Sequence, residues 1–180
     1  MFEARPSKRT GAEHFATDLR FDILDGARTL GRLSCSRKDL GATFELDGAA
    51  FTVEHTRGAE DERLYEAVAR LATHGAKPPP DRHQLKDADG RVLAVAEQAR
   101  EVFQVTRGKE RFRFAKGRSR LLFDLTREGE AAPLGAVGQR KFWTTRMHMD
   151  LPDALGAPFQ VFLLVVLLGL TLQRAERLNP

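Results

Sequence analysis

The chain alternates apolar and polar residues over short stretches, broken at regular intervals by turn signals. Leu19-Arg20-Phe21-Asp22-Ile23 is the first clear case. Its period of two marks a strand with one face in the core and one in water. Asp25-Gly26 follows as a turn, and residues 29–34 read as the returning strand. Phe44-Glu45-Leu46, Asp47-Gly48 and Phe51-Thr52-Val53-Glu54-His55 predict a second hairpin around a DG turn. The same alternation resumes at residues 83–86, 91–98, 101–106, 110–115, 120–126, 134–139 and 141–149. Asp89-Gly90, Gly108, Gly117 and Glu128-Gly129 punctuate it. Roughly eleven strands at this spacing predict a sandwich or a barrel. Three segments echo one another, FELDGAAFTVEH, QLKDADGRVLAVAEQ and DLTREGEAAPLGAVGQ, at unequal intervals. That fits a sheet of similar hairpins rather than a solenoid.

Two segments leave the β pattern. Over residues 60–74, acids open the segment and Leu64, Val68 and Leu71 recur at helical spacing, which predicts an amphipathic helix. Gly75 then stops it and Pro78-Pro79-Pro80 forms a stiff connector. The second segment is near the C-terminus, after Leu151-Pro152-Asp153. Residues 161–170 carry no polar side chain, and the apolar run over residues 159–172 is 14 residues long. Crossing a bilayer takes about 20 apolar residues, so a run of this length predicts a buried core helix and no transmembrane span. It is apolar on every face and must be enclosed by protein. A many-stranded sheet curled around a central helix at residues 153–177 supplies that enclosure. The rival is a tail anchor whose Arg174 and Arg177 reach up to the head groups.

Composition narrows the setting. The 180 residues suit a single domain, assigned to residues 15–180, with residues 1–14 as a flexible N-terminus. One cysteine excludes an internal disulfide framework and a four-thiolate zinc site. The first residues lack the apolar core of a secretion signal, which points to the cytoplasm. The net charge of +4 is unevenly spread. Residues 107–120, RGKERFRFAKGRSR, hold seven basic residues and one acid, a local +6 that leaves −2 on the rest of the chain. That is a local anion-facing patch rather than a surface coated for nucleic acid.

This basic stretch is the candidate site. If residues 109–115 form a strand, Lys109, Arg111 and Arg113 project from one face and Phe112 and Phe114 from the other. Lys116, Arg118 and Arg120 then join the cations. Guanidinium groups grip phosphate oxygens with two hydrogen bonds at once, so the patch suits anionic head groups. The plainer reading is a solvated strand face whose charge discourages edge pairing. With the phenylalanines turned inward no aromatic platform is left for bases, so nucleic acid is not expected as a partner. The five histidines, His14, His55, His74, His83 and His148, show no metal-site spacing. Cys35 reads as a small buried hydrophobe, and the glycines of residues 135–138 as strand crowding or a bulge. Of the last strand, Trp143, Thr145, Met147 and Met149 share the core-facing side. No serine-nucleophile motif or acid–base pair assembles, so neither an enzyme nor a cofactor is expected.

The order of parts resembles the tubby C-terminal-like superfamily, which includes phospholipid scramblases, LURP-one-related proteins and small bacterial members. The residues that carry the resemblance are 44–55, 85–96, 112–126, 135–138 and 151–174, and it covers residues 15–178. It implies a closed, mainly β barrel of about twelve antiparallel strands around a central hydrophobic C-terminal helix. It also implies a non-enzymatic module that binds phosphoinositide-type or other anionic phospholipid head groups through a basic surface. Such a module would work peripherally at the inner face of a membrane. The helix and prolines of residues 59–80 depart from a minimal barrel. Scramblase activity is not implied, because there is no palmitoylation-type cysteine cluster and no calcium-binding acidic loop. The alternative function is a protein-interaction or immunity-type scaffold whose basic stretch meets an acidic protein partner.

Overall fold

The computed structural model describes residues 1–7, 18–58, 80–99, 102–117, 119, 121–139 and 146–178, with side chains through Ala175. Twelve antiparallel strands close into a barrel, and one helix follows them. The strands are β1 (Phe2–Pro6), β2 (Leu19–Asp25), β3 (Arg28–Cys35), β4 (Ala42–Leu46), β5 (Ala49–Thr56) and β6 (Arg82–Asp87). Then come β7 (Val92–Ala99), β8 (Val102–Arg107), β9 (Glu110–Lys116), β10 (Leu122–Arg127), β11 (Gly135–Gly138) and β12 (Met147–Asp150). Each strand pairs with its neighbour in sequence, and β1 closes the ring by pairing with both β2 and β12. Closure removes every free sheet edge.

β1 corrects the expectation for the N-terminus. Residues 2–6 are not a flexible lead-in; Phe2 pairs with Met149 and Asp25, and Ala4 is fully buried. Residues 8–14 of that expectation lie outside the described residues, as do the helix expected at 60–74 and most of the proline connector.

The hairpins form where the turn residues placed them. Asp47 and Gly48 both have positive φ, 47° and 82°, the two-residue turn that matches strand twist. At the other extreme of glycine use, a Cβ on Gly138 would lie 2.1 Å from the Leu121 carbonyl oxygen. The crowding read from residues 135–138 is therefore backbone against backbone.

Inward positions of the strands fill the barrel with Phe44, Leu85, Phe103, Phe112, Phe114, Phe123 and Met149, all buried. Phe103, Phe114 and Phe123 run as neighbouring rings, with centroids 6.4 and 5.4 Å apart. Met147 and Met149 face the core as expected, while Trp143 and Thr145 lie outside the described residues.

The axis is α1 (Ala157–Leu178), entered through a short 3-10 turn at Asp153–Leu155 and Gly156. Every residue from 159 to 170 is buried. Burial on all sides explains the all-apolar composition, since each large apolar side chain so enclosed contributes about 1.5–3 kcal/mol. The helix is longer than the 14-residue apolar run that predicts it. It runs to 22 residues, and Ala157–Ala175 is long and apolar enough to cross a membrane. Here that face is covered by the barrel.

The antiparallel order gives the barrel two distinct ends. The β2–β3, β4–β5, β6–β7, β8–β9 and β10–β11 turns all lie at one end, called here the entry end. α1 enters there, held by Arg107, which donates a hydrogen bond to the Leu155 carbonyl (2.9 Å) and lies over the Phe159 ring. At the exit end, the Gln173 amide of α1 donates to the Asp81 carboxylate (2.8 Å).

Candidate functional site

β9 is built as expected from its alternation. Phe112 and Phe114 are buried, and Arg111 and Arg113 are exposed on the outer wall. Arg113 stands between Gln104 of β8 and Thr126 of β10, so no acid flanks it in the ladder. Arg111 lies 4.0 Å from the Glu128 carboxylate, and both side chains are about 70% exposed (70% and 67%). An ion pair so open to water is worth little and leaves the guanidinium available.

The remaining cations do not all join this pair. Lys109 is exposed but belongs to the β8–β9 turn rather than to the strand. Lys116 pairs with Phe123, so it has the parity of Phe112 and Phe114, and it is exposed because it ends the strand at the exit end. Arg118 and Arg120 lie outside the described residues. Five residues of extended strand separate Arg111 from Lys116, roughly 17 Å. The described cations thus form a stripe running along the barrel wall rather than a cup around one anion. Arg107, counted in the basic stretch, is committed to the α1 entrance.

The opposite wall carries two adjoining clefts, on outer positions of β1–β5. The larger, about 980 Å³, is lined by Arg5, Arg20, Asp22, Arg32 and Glu45 among others. Two of its arginines have acidic partners. Arg5 binds Glu3 at 2.6 Å and holds that carboxyl below its usual range, and Arg32 lies 3.9 Å from Asp22. The smaller, about 340 Å³, contains Asp18, Asp39, Glu54 and His55. Hydrogen bonds from Ser36 and the Gly41 amide hold the Asp39 carboxyl below its usual range. β3 is six strands from β9 in either direction round the ring, so neither cleft includes the basic stripe.

Spacing alone did not reveal a histidine pair at the exit end. His55 of β5 and His83 of β6 are register partners, with ring centroids 4.4 Å apart. His83 is buried, and neither of its ring nitrogens has a hydrogen-bond partner. Burial, reinforced by His55, pushes its pKa down to about 3, so it is neutral at pH 7. His55 Nδ1 lies 3.1 Å from the Asp39 carbonyl oxygen. Room for His83 comes from Gly169 of α1, where a Cβ would lie 3.0 Å from Nε2. The signal was present in the alternation: His55 shares parity with Val53, and His83 with Leu85.

No group of three or more His, Cys, Asp or Glu side chains is placed to hold a metal among the described residues. Cys35 is buried in β3, and burial raises its thiol pKa to about 12, as suits an inert core residue. No family model, curated protein or solved structure matches this chain.

Proposed function

We propose that this protein is a non-enzymatic barrel that docks peripherally on anionic phospholipid surfaces through the outer face of β9. The supporting observation is the row of Arg111 and Arg113, exposed in water while Phe112 and Phe114 of the same strand are buried. Lys109 adds an exposed cation in the β8–β9 turn, and Lys116 one at the exit end of the strand. A stripe of cations along a wall suits a surface of many head groups better than a single deep anion pocket. The closed barrel around an apolar helix is also the architecture implied by the resemblance to tubby-like proteins, and membership of that superfamily is part of the proposal.

Co-sedimentation with vesicles containing phosphatidylserine or a phosphoinositide tests it. Binding at low salt should fall about tenfold or more in Arg111→Glu/Arg113→Glu, as two surface cations are reversed. It should also weaken steeply between 0.1 and 1 M salt, where the screening length drops from about 10 to about 3 Å. Equal sedimentation of the wild type and the double variant would overturn the reading.

A further inference from the structure

We propose that the entry end of the barrel inserts Val92 and Leu93 into the bilayer, below the head groups that the β9 cations hold. The inference rests on the phospholipid reading above and gives it an orientation.

Its basis is an irregularity in β7. Leu85 pairs with Ala94, but the next residue of β6, Lys86, pairs with Val92. Leu93 is therefore an extra residue, a β-bulge. In unbroken alternation Val92 would share the inward parity of Ala94 and Ala96, both buried. Instead Val92 is 49% exposed and Leu93 37%, two adjacent aliphatic side chains in water. Of the described residues, Met1 is the one other exposed large hydrophobic.

A second bulge in the barrel shows the contrast. Between β2 and β3, Ile23 pairs with Gly31 and Leu24 with Thr29. There the extra residue is Leu30 of β3, which is half-buried and packs against the core, and the residue before it is Thr29. A bulge in this fold does not by itself expose aliphatic side chains; the one in β7 does.

Exposed cations stand at the same end of the barrel, among acids that are partly tied up. The β6–β7 turn that leads into Val92 and the β8–β9 turn that holds Lys109 both lie at the entry end, on neighbouring hairpins. Arg91 precedes the bulge, and Arg111 of β9 lies two strands across, level with Val95 through Thr106; Arg91, Lys109 and Arg111 are exposed. The acids nearby are Asp87, Asp89, Glu110 and Glu128, the last 4.0 Å from Arg111. The Asp87 carboxylate is tied down by the amides of Asp89 and Arg91, and Glu110 is paired with Arg127. Two exposed aliphatic tips with the exposed Arg91 and Lys109 at the same end match an anionic bilayer, whose head groups are charged and whose interior is apolar. They match a protein partner poorly, because two side chains are far short of the roughly 1,200 Å² that a stable protein interface buries.

The test places an environment-sensitive fluorophore on a Leu93→Cys variant, with Glu97→Cys, farther along the same strand, as control. Cys35 is buried and will not compete for the label. With phosphatidylserine vesicles, the label at position 93 should shift to the blue and be quenched by brominated acyl chains, and the label at 97 should not. Val92→Ser/Leu93→Ser should weaken vesicle binding about tenfold at high salt, where apolar contact outlasts charge. If vesicles bind but the label at 93 does not respond, insertion is wrong and the charge reading stands. If vesicles do not bind at all, both fall. Self-association of the wild type that the serine variant relieves would make a second copy the occupant and overturn the proposal.

Discussion

The two ends of the barrel solve the same closure problem differently. At the entry end the chain reverses in short local turns, and Asp47-Gly48 specifies its hairpin within two residues. At the exit end the structure depends on groups far apart in sequence. Gln173 of α1 reaches Asp81, whose other oxygen accepts the Gly58 amide at 2.5 Å. Leu40, buried and left-handed at φ 57°, packs beside Gly169, and His83 packs on the same glycine. The entry-end turns are encoded locally and the exit end by tertiary fit, so perturbations should separate them.

Acid should have the largest effect, and at the exit end. His83 has its pKa lowered to about 3 from an ordinary 6.5. Between those values the unfolded chain binds a proton that the folded protein does not. Stability is therefore complete above about pH 6.5 and falls with falling pH, by roughly 1.4 kcal/mol per unit from this group. Urea unfolding at pH 7, 6 and 5 should show the loss. His83→Leu should flatten that slope, and an unchanged slope would remove the histidine from the account. Next in size, Gln173→Leu should cost about 1–2 kcal/mol, as a hydrogen bond to a carboxylate is lost. Amide exchange at Gln98, bonded to the Asp81 carbonyl, should quicken, while that of Asp47, bonded to Leu30, should not. Equal acceleration at both would mean that the ends are not independent. The smallest effect is at the entry end. Gly48→Ala meets no atom within 4 Å but keeps φ at +82°, costing about 1 kcal/mol. Thermal unfolding should drop by a few degrees, with exchange at Gln98 unaltered below the global limit.

This division also accounts for what the sequence disclosed. Turns and alternating strands are local, so the hairpins from β2 to β11 were legible, as was the all-apolar helix. β1 was not, because Phe2-Glu3-Ala4 is too short and its one fully buried residue is an alanine. Its identity as a strand comes from pairing with β12, about 145 residues away. The outward row of Arg111 and Arg113 followed from alternation alone, whereas the parity of Lys116 required knowing where the strand ends. His55 and His83 meet only through the β5–β6 register, and the bulge at Leu93 is a property of two strands together.

The order of elements has a consequence for synthesis. α1 follows all twelve strands in the chain, yet it fills the barrel they form. A chain made from its N-terminus holds the wall complete before the contents arrive, with Phe103, Phe112, Phe114 and Phe123 facing a space not yet occupied. β1 must meanwhile wait for β12 to close the ring. During that interval the nascent chain carries apolar surface and open sheet edges, the condition in which chaperones engage a protein. Survival of the newborn barrel should therefore depend on how soon its axis leaves the ribosome.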